Sequence, residues 1–183
     1  MPPAEVWNRY VKRQPANTSA IYSARLEVWF RSIAMILFVE QTDQGLSMAA
    51  LSPAGIKIFD AGGGSNLIHK TVYIPQSKKR LEAFAITAWK DLKFLLEPPP
   101  LTLPAGWTNR RGRWIVEQPS GAHVRIRYEF DEFTGSLLQK ERFENNRSRC
   151  QIRFFDKESQ SVIEIAGGGY RLFLKPNRKM IGS

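Results

Sequence analysis

The sequence predicts a mainly β fold with helices (α+β), built on one curved antiparallel sheet, and two observations predict it. Over most of the chain, apolar and polar residues alternate with the two-residue period of a strand. One long segment breaks that rule. From Ser77 to Glu97 the apolar positions Leu81, Phe84, Ala85, Ala88, Trp89, Leu92, Leu95 and Leu96 follow the three-and-four spacing of one helix face. A lone amphipathic helix needs an apolar surface to cover, and the inner face of the sheet is the surface available. A curved sheet partly closed by helices can contain a hydrophobic cavity, which suggests a ligand made of hydrocarbon.

The elements follow in order. Pro3 to Arg13 reads as a short helix, with Val6, Trp7, Tyr10 and Val11 as its apolar stripe and proline near the favoured start. Strands are predicted at Tyr22–Phe30, Ser32–Gln41, Leu46–Leu51, Ile56–Asp60 and Leu67–Tyr73, with reversals at Thr42–Gly45, Ser52–Gly55 and Gly62–Asn66. The central helix then intervenes and stops at Pro98-Pro99-Pro100, which cannot continue it. A proline-rich loop runs to Gly106. Further strands are predicted at Arg113–Gln118, Gly121–Phe130, Ser136–Phe143, Arg147–Phe155, Ser161–Ile165 and Tyr170–Lys175. The total is about ten or eleven, linked mostly by turns of hairpin length.

A chain of 183 residues suits one domain, 1–183, with a core large enough to fold without staples. A single cysteine, Cys150, excludes an intrachain disulfide and a cysteine-rich metal site. The longest apolar run, Ile33 to Val39, is far short of a bilayer span. Met1-Pro2-Pro3 does not open a secretory signal, so the chain is either cytoplasmic or a mature segment. The formal charge of +10 favours anionic partners such as nucleic acid or acidic headgroups.

Catalytic, metal and cofactor chemistry find little support. His123 shares the polar face of its strand with Arg125, and neither it nor His69 has metal-ligand spacing. Cys150 has the parity of Ile152 and Phe154, which reads as a packed thiol despite nearby Arg147, Arg149 and Arg153. The triplets Gly62–Gly64 and Gly167–Gly169 lack the Lys-Ser/Thr and helix of a phosphate loop, and read as turns or bulges. Arg110, Arg111 and Arg113 cluster near Trp107 and Trp114, Arg125 and Arg127 alternate on one strand face and Arg147, Arg149 and Arg153 on another, and basic residues interleaved with aromatics can bind single-stranded nucleic acid. The plainer reading is a solvated face with Glu129, Glu141 and Glu144 as counter-charges. Attraction to an anionic membrane surface lies between the two.

The apolar inventory supplies the candidate ligand site. From the strands come Leu26, Val28, Met35, Leu37, Met48, Ile56, Ile58, Ile126, Tyr128 and Leu172. From the helix come Leu81, Phe84, Ala88 and Trp89. Parity turns these side chains inward, but it leaves open whether they enclose a cavity or meet as a filled core.

The order of elements resembles the LolA/LolB-like superfamily of periplasmic lipoprotein carriers and outer-membrane lipoprotein receptors. The local match is Trp7 in the first helix, Tyr22-Ser23-Ala24-Arg25-Leu26, the segment Leu51 to Phe59 around Ser52-Pro53-Ala54-Gly55, and Tyr170 to Leu174. The resemblance implies an incomplete barrel with the N-terminal and central helices over its concave face. It implies binding of acyl chains of a lipid or lipoprotein, no enzymatic activity, no cofactor, and a place in the periplasm or at the periplasmic face of the outer membrane. It also implies a membrane-facing loop at Pro53, Ala54 and Gly55, where Ala54 stands in place of the protruding leucine of the receptors. The alternatives are a basic nucleic-acid-binding module and a structural component of an envelope complex.

Overall fold

The structure, a computed structural model, describes residues 1–12, 17–28, 31–74, 78–157 and 160–177. Among them are two helices, α1 (Pro3–Lys12) and α2 (Lys78–Leu96). Before α2 come β1 (Thr18–Val28), β2 (Arg31–Thr42), β3 (Gly45–Leu51), β4 (Lys57–Gly63) and β5 (Leu67–Val72). After it come β6 (Thr108–Arg110), β7 (Arg113–Gly121), β8 (Val124–Asp131) and β9 (Leu137–Glu144). The last three are β10 (Arg147–Lys157), β11 (Gln160–Gly167) and β12 (Tyr170–Pro176).

All twelve strands form one antiparallel sheet in the order β5-β4-β3-β2-β1-β12-β11-β10-β9-β8-β7-β6. Each half is a meander, and pairing of β1 with β12 joins the halves, placing Leu26 opposite Leu172 and Ala24 opposite Leu174. The outer strands β5 and β6 do not pair, so the barrel is incomplete. The connection between these two edges contains α2, which lies on the concave face over β3, β4, β5 and β11. An α+β incomplete barrel with both helices on its inner side is therefore the observed architecture.

Several boundaries differ from the sequence prediction, among them the start of β1, at Thr18 where Tyr22 was expected, and those of β6, β7 and β8. Strand β6 was hidden because its three residues follow a proline-rich loop and carry no apolar alternation. Strand β7 continues through Pro119 to Gly121, with a register irregularity between those residues. Proline has no N–H for the ladder, and a bulge accommodates it. Ala122 and His123, predicted in a strand, instead make the turn, where the His123 carbonyl accepts the Asn145 N–H at 3.0 Å. The predicted termini Arg13, Ser77, Trp29 and Phe30 lie outside the described residues.

Turn chemistry matches the tight reversals. Asn145 and Asn146, at φ 50° and 62°, and Gly168 and Gly169, at φ 54° and 84°, turn the β9–β10 and β11–β12 hairpins. Two successive positive-φ residues match the right-handed twist of the flanking strands. The Gly167–Gly169 triplet is thus a turn, while Gly62 and Gly63 belong to β4 beside a register shift.

An up-and-down chain also sorts its turns by end. The β2–β3, β4–β5, β6–β7 and β8–β9 turns fall at one end of the sheet. The β3–β4, β7–β8, β9–β10 and β11–β12 turns fall at the other.

Candidate functional site

The fourteen-residue inward set resolves mainly into packed core. Leu26, Met35, Leu37, Met48, Ile58, Ala88, Trp89, Ile126, Tyr128 and Leu172 are buried in one cluster. Val28, Leu81 and Phe84 are half-buried at its margin. Phe84 packs edge-on against Phe59 and Tyr170, with centroids 5.6 and 5.2 Å away. Trp89 donates its indole N–H to the Leu46 carbonyl at 3.0 Å, tying α2 to β3. Ile56 is a correction. It stands 65% exposed in the turn before β4, because the strand starts one residue later, at Lys57.

Helix α1 covers a different part of the concave face. Trp7 sits 5.2 Å from Tyr128, 6.2 Å from Phe130 and 6.1 Å from Trp107, all in edge-to-face geometry. Tyr10 adds a contact to Phe130 at 5.4 Å. The Trp114 indole donates to the Met1 carbonyl at 2.9 Å. Trp107 and Trp114 thus serve the packing of α1, and are not presented outward for base stacking.

Between α1 and the last turn of α2 the two helices leave a cleft of about 250 Å³. Tyr10 comes from α1, Leu95 and Leu96 from α2, and Tyr22 from β1. Leu137, Phe154 and Ile163 supply the sheet wall, and Gly135 and Ser136 the adjoining turn. None of the fourteen predicted residues lines it. Apolar parity marked these side chains as inward, but only the crossing of the helices shows which inward side chains lack a partner opposite. The cleft opens at the end of the sheet that carries the β8–β9 turn. The Pro53-Ala54-Gly55 turn is exposed at the other end, where the Ser52 carbonyl accepts the Gly55 N–H at 2.9 Å.

A buried polar seam fastens α2 beside the cleft. Lys140, 1% exposed, donates from Nζ to the Phe94 carbonyl at 2.6 Å and the Glu97 carbonyl at 3.0 Å. These are orphan acceptors at a helix C-terminus, where a cation is favourable. Burial lowers the Lys140 ammonium pKa to about 8. On the next turn of helix, Asp91 accepts the Tyr170 hydroxyl at 2.6 Å and faces Arg142 at 3.8 Å. Burial raises the Asp91 carboxyl above its usual range, against the lowering pull of the Tyr170 hydrogen bond. Cys150 beside it is fully buried, and its thiol is pushed up by burial and then by Asp91. A reactive thiolate needs the opposite conditions.

The outer face is charged but largely compensated. Glu117 holds Arg125 at 2.9 Å and Arg127 at 2.6 Å, and both guanidiniums lie 4.9 Å from the Phe143 ring. Glu164 lies between Arg153 and Arg171, and Glu129 faces Arg113. Such exposed pairs contribute about 0–1 kcal/mol each. Their effect here is to leave Arg125 and Arg127 less available to an outside anion. A shallow groove of about 440 Å³ crosses the outer side of β1–β4, with Phe38 and Ala49 beside Lys57, Asp60 and His69. Its lining mixes these with Ser19, Glu40 and Ser47, so it offers hydrocarbon a less continuous apolar wall than the cleft. Among the described residues no cluster of His, Cys, Asp and Glu could hold a metal ion, and no helix is long and apolar enough to cross a membrane.

No protein-family model and no curated protein sequence matches the chain. Its structure is similar to the crystal structure of the LolA superfamily protein NE2245 from Nitrosomonas europaea. The TM-score is 0.53 at 10% sequence identity, over 97% of this chain and 92% of the other. The likeness shows a LolA-like fold.

Proposed function

We propose that this protein binds, without catalysis, the acyl chains of a lipid or lipoprotein, in envelope lipid or lipoprotein trafficking at the periplasm or the periplasmic face of the outer membrane. The observation that carries this reading is the cleft between α1 and α2, walled by Leu95, Leu96, Leu137, Phe154 and Ile163. The LolA-like fold supports it. Cavities of about 150 Å³ with apolar linings already hold benzene-sized hydrocarbons, so a cleft of about 250 Å³ has room for a length of one acyl chain. Burial contributes about 0.8 kcal/mol per methylene, which makes hydrocarbon length the main determinant of affinity. The filled core under α2 limits the cargo to this end of the sheet unless α2 moves.

Titration with the fluorescent fatty acid cis-parinaric acid tests the reading. Saturable uptake is expected for the wild-type chain. Leu137→Glu and Ile163→Glu set a carboxylate in the path of the chain, and each is expected to weaken uptake by about tenfold or more, since burying an unpaired charge is costly. Ile56→Glu, remote and exposed, should leave uptake unchanged. Thermal melts verify that each variant remains folded. Absence of uptake by the wild type, or equal uptake by folded Leu137→Glu and Ile163→Glu, overturns the proposal.

A further inference from the structure

We propose that the β8–β9 hairpin tip, with Phe133 at its apex and Arg110 and Arg111 on the turn beside it, docks the cleft-bearing end of the protein onto an anionic bilayer. The contact stands on its own geometry. What it delivers, an acyl chain passing between bilayer and cleft, rests on the function proposed above.

Phe133 is 80% exposed, and the chain enters the cleft wall two residues later, at Gly135. The tip is joined to the β6–β7 turn: the Glu132 N–H donates to the Gly112 carbonyl at 3.0 Å, and a Cβ at Gly112 would lie 3.9 Å from the Phe133 ring. That turn exposes Arg110 and Arg111, neither of which has an ion pair among the described residues, whereas Arg113 is taken by Glu129. Two acidic groups share the tip, Asp131 and Glu132. Asp131 is turned inward on its own loop. Its Oδ1 accepts the Phe133 and Thr134 N–H groups at 3.0 and 2.7 Å, and the Thr134 hydroxyl at 2.9 Å.

The hydrogen-bond inventory of this tip favours a bilayer over a protein. Asp131, Gly135 and Ser136 also donate their N–H groups within the loop, to Ser136 O, Asp131 O and Thr134 Oγ1. With the bonds of Glu132, Phe133 and Thr134, every N–H from 131 to 136 already has an acceptor. Entry into the headgroup region therefore strands no backbone donor of the tip, and its carbonyls keep water there. A phenylalanine ring enters the boundary between headgroups and acyl chains, and arginines beside it pair with lipid phosphates. A lone projecting ring offers little of the roughly 800 Å² per side that a stable protein interface buries. The formal charge of +10 steers the whole chain toward an anionic surface.

Flotation with vesicles of phosphatidylcholine and phosphatidylglycerol, and with phosphatidylcholine alone, tests the docking. Binding to the anionic vesicles is expected, weakened about tenfold by Phe133→Ser and about fivefold for each of Arg110→Gln and Arg111→Gln. In a Phe133→Cys variant labelled with an environment-sensitive dye, emission should shift to the blue on vesicle addition; Cys150 is buried and stays unlabelled. Flotation with the label still in water, no flotation of the wild type, or equal flotation of Phe133→Ser overturns the proposal. So does a dimer in light scattering that Phe133→Ser abolishes without any vesicle binding, which would assign the tip to a second copy. Parinaric-acid uptake in solution, read on the same variants, is expected to be unchanged. Flotation of the wild type without parinaric-acid uptake would sink the acyl-binding reading alone, and uptake by the wild type without flotation would sink docking alone.

Discussion

Trp7→Ala is expected to cost about 3–5 kcal/mol of unfolding free energy, a large share of the roughly 5–15 kcal/mol that holds a typical domain together. The indole is fully buried and contacts Tyr10, Trp107, Tyr128 and Phe130. Edge-to-face pairs add about 0.5–1.5 kcal/mol each beyond area, and truncation removes all of them at once. Helix α1 buries only Val6, Trp7 and Tyr10, so loss of the central ring leaves it little to hold on to. Tyr10 forms one wall of the cleft, and parinaric-acid uptake should fall together with stability. Trp7→Phe discriminates the cause. The Trp7 Nε1–H is buried with no protein acceptor among the described residues. Phenylalanine gives up volume but also an unsatisfied donor that costs about 1–3 kcal/mol, so its net change should stay within about 1 kcal/mol. Urea denaturation of both variants supplies the comparison. Equal losses for Trp7→Phe and Trp7→Ala would mean that the N–H, not the ring packing, is what the site requires.

How far the sequence carried this architecture follows from which forces act locally. The period change at Ser77 to Glu97 is a local signal, and it located α2, with the C-terminal end correct to within a residue. Alternation in Ala122 to Phe130 likewise predicted the inward side chains Ile126, Tyr128 and Phe130. The cleft was not legible, for a geometric reason. Leu137 and Ile163 have the same alternating pattern as Leu26 and Leu172, and what separates them is whether a helix lies across the sheet at that point. The angle at which α2 crosses, and hence the gap it leaves beside α1, depends on contacts between residues far apart in sequence, such as Trp89 with Leu46. Lys140 was hidden for a related reason. It occupies an inward position between strand neighbours, and only the end of α2 above it gives an ammonium a reason to be there. The outer arginines were readable as a face, but their pairing with Glu117 and Glu164 comes from strand register, which sequence alternation does not determine.

Lys140→Met should destabilise the fold by about 2–3 kcal/mol near neutral pH, and the size of the loss should depend on pH. Methionine keeps the buried stem but deprives the Phe94 and Glu97 carbonyls of their shared donor. Charge-assisted hydrogen bonds of this kind contribute about 1.5–3 kcal/mol. Burial works against them, and the folded-state pKa of Lys140 falls from 10.5 to about 8. A depressed pKa means that between about pH 8 and 10.5 the unfolded chain binds the proton and the folded chain does not, so this residue's contribution to stability rises with pH across that window. Other groups pull the other way. The thiol of Cys150 and the phenols of Tyr10, Tyr128 and Tyr170 are raised, mainly by burial, so their contributions fall as pH passes 9.0 and 10.0, the ordinary values. Loss of Lys140 removes a lowering influence on the Cys150 thiol and so raises it further; the thiol therefore keeps its proton in both folds up to pH 10, and these groups cancel in the difference between the two. That difference, from urea unfolding at intervals between about pH 7 and 10, should be flat below 8 and then grow in favour of the wild type. A difference that stays flat to pH 10 would mean that the ammonium keeps its proton in the fold, and that the two carbonyls compensate its desolvation in full.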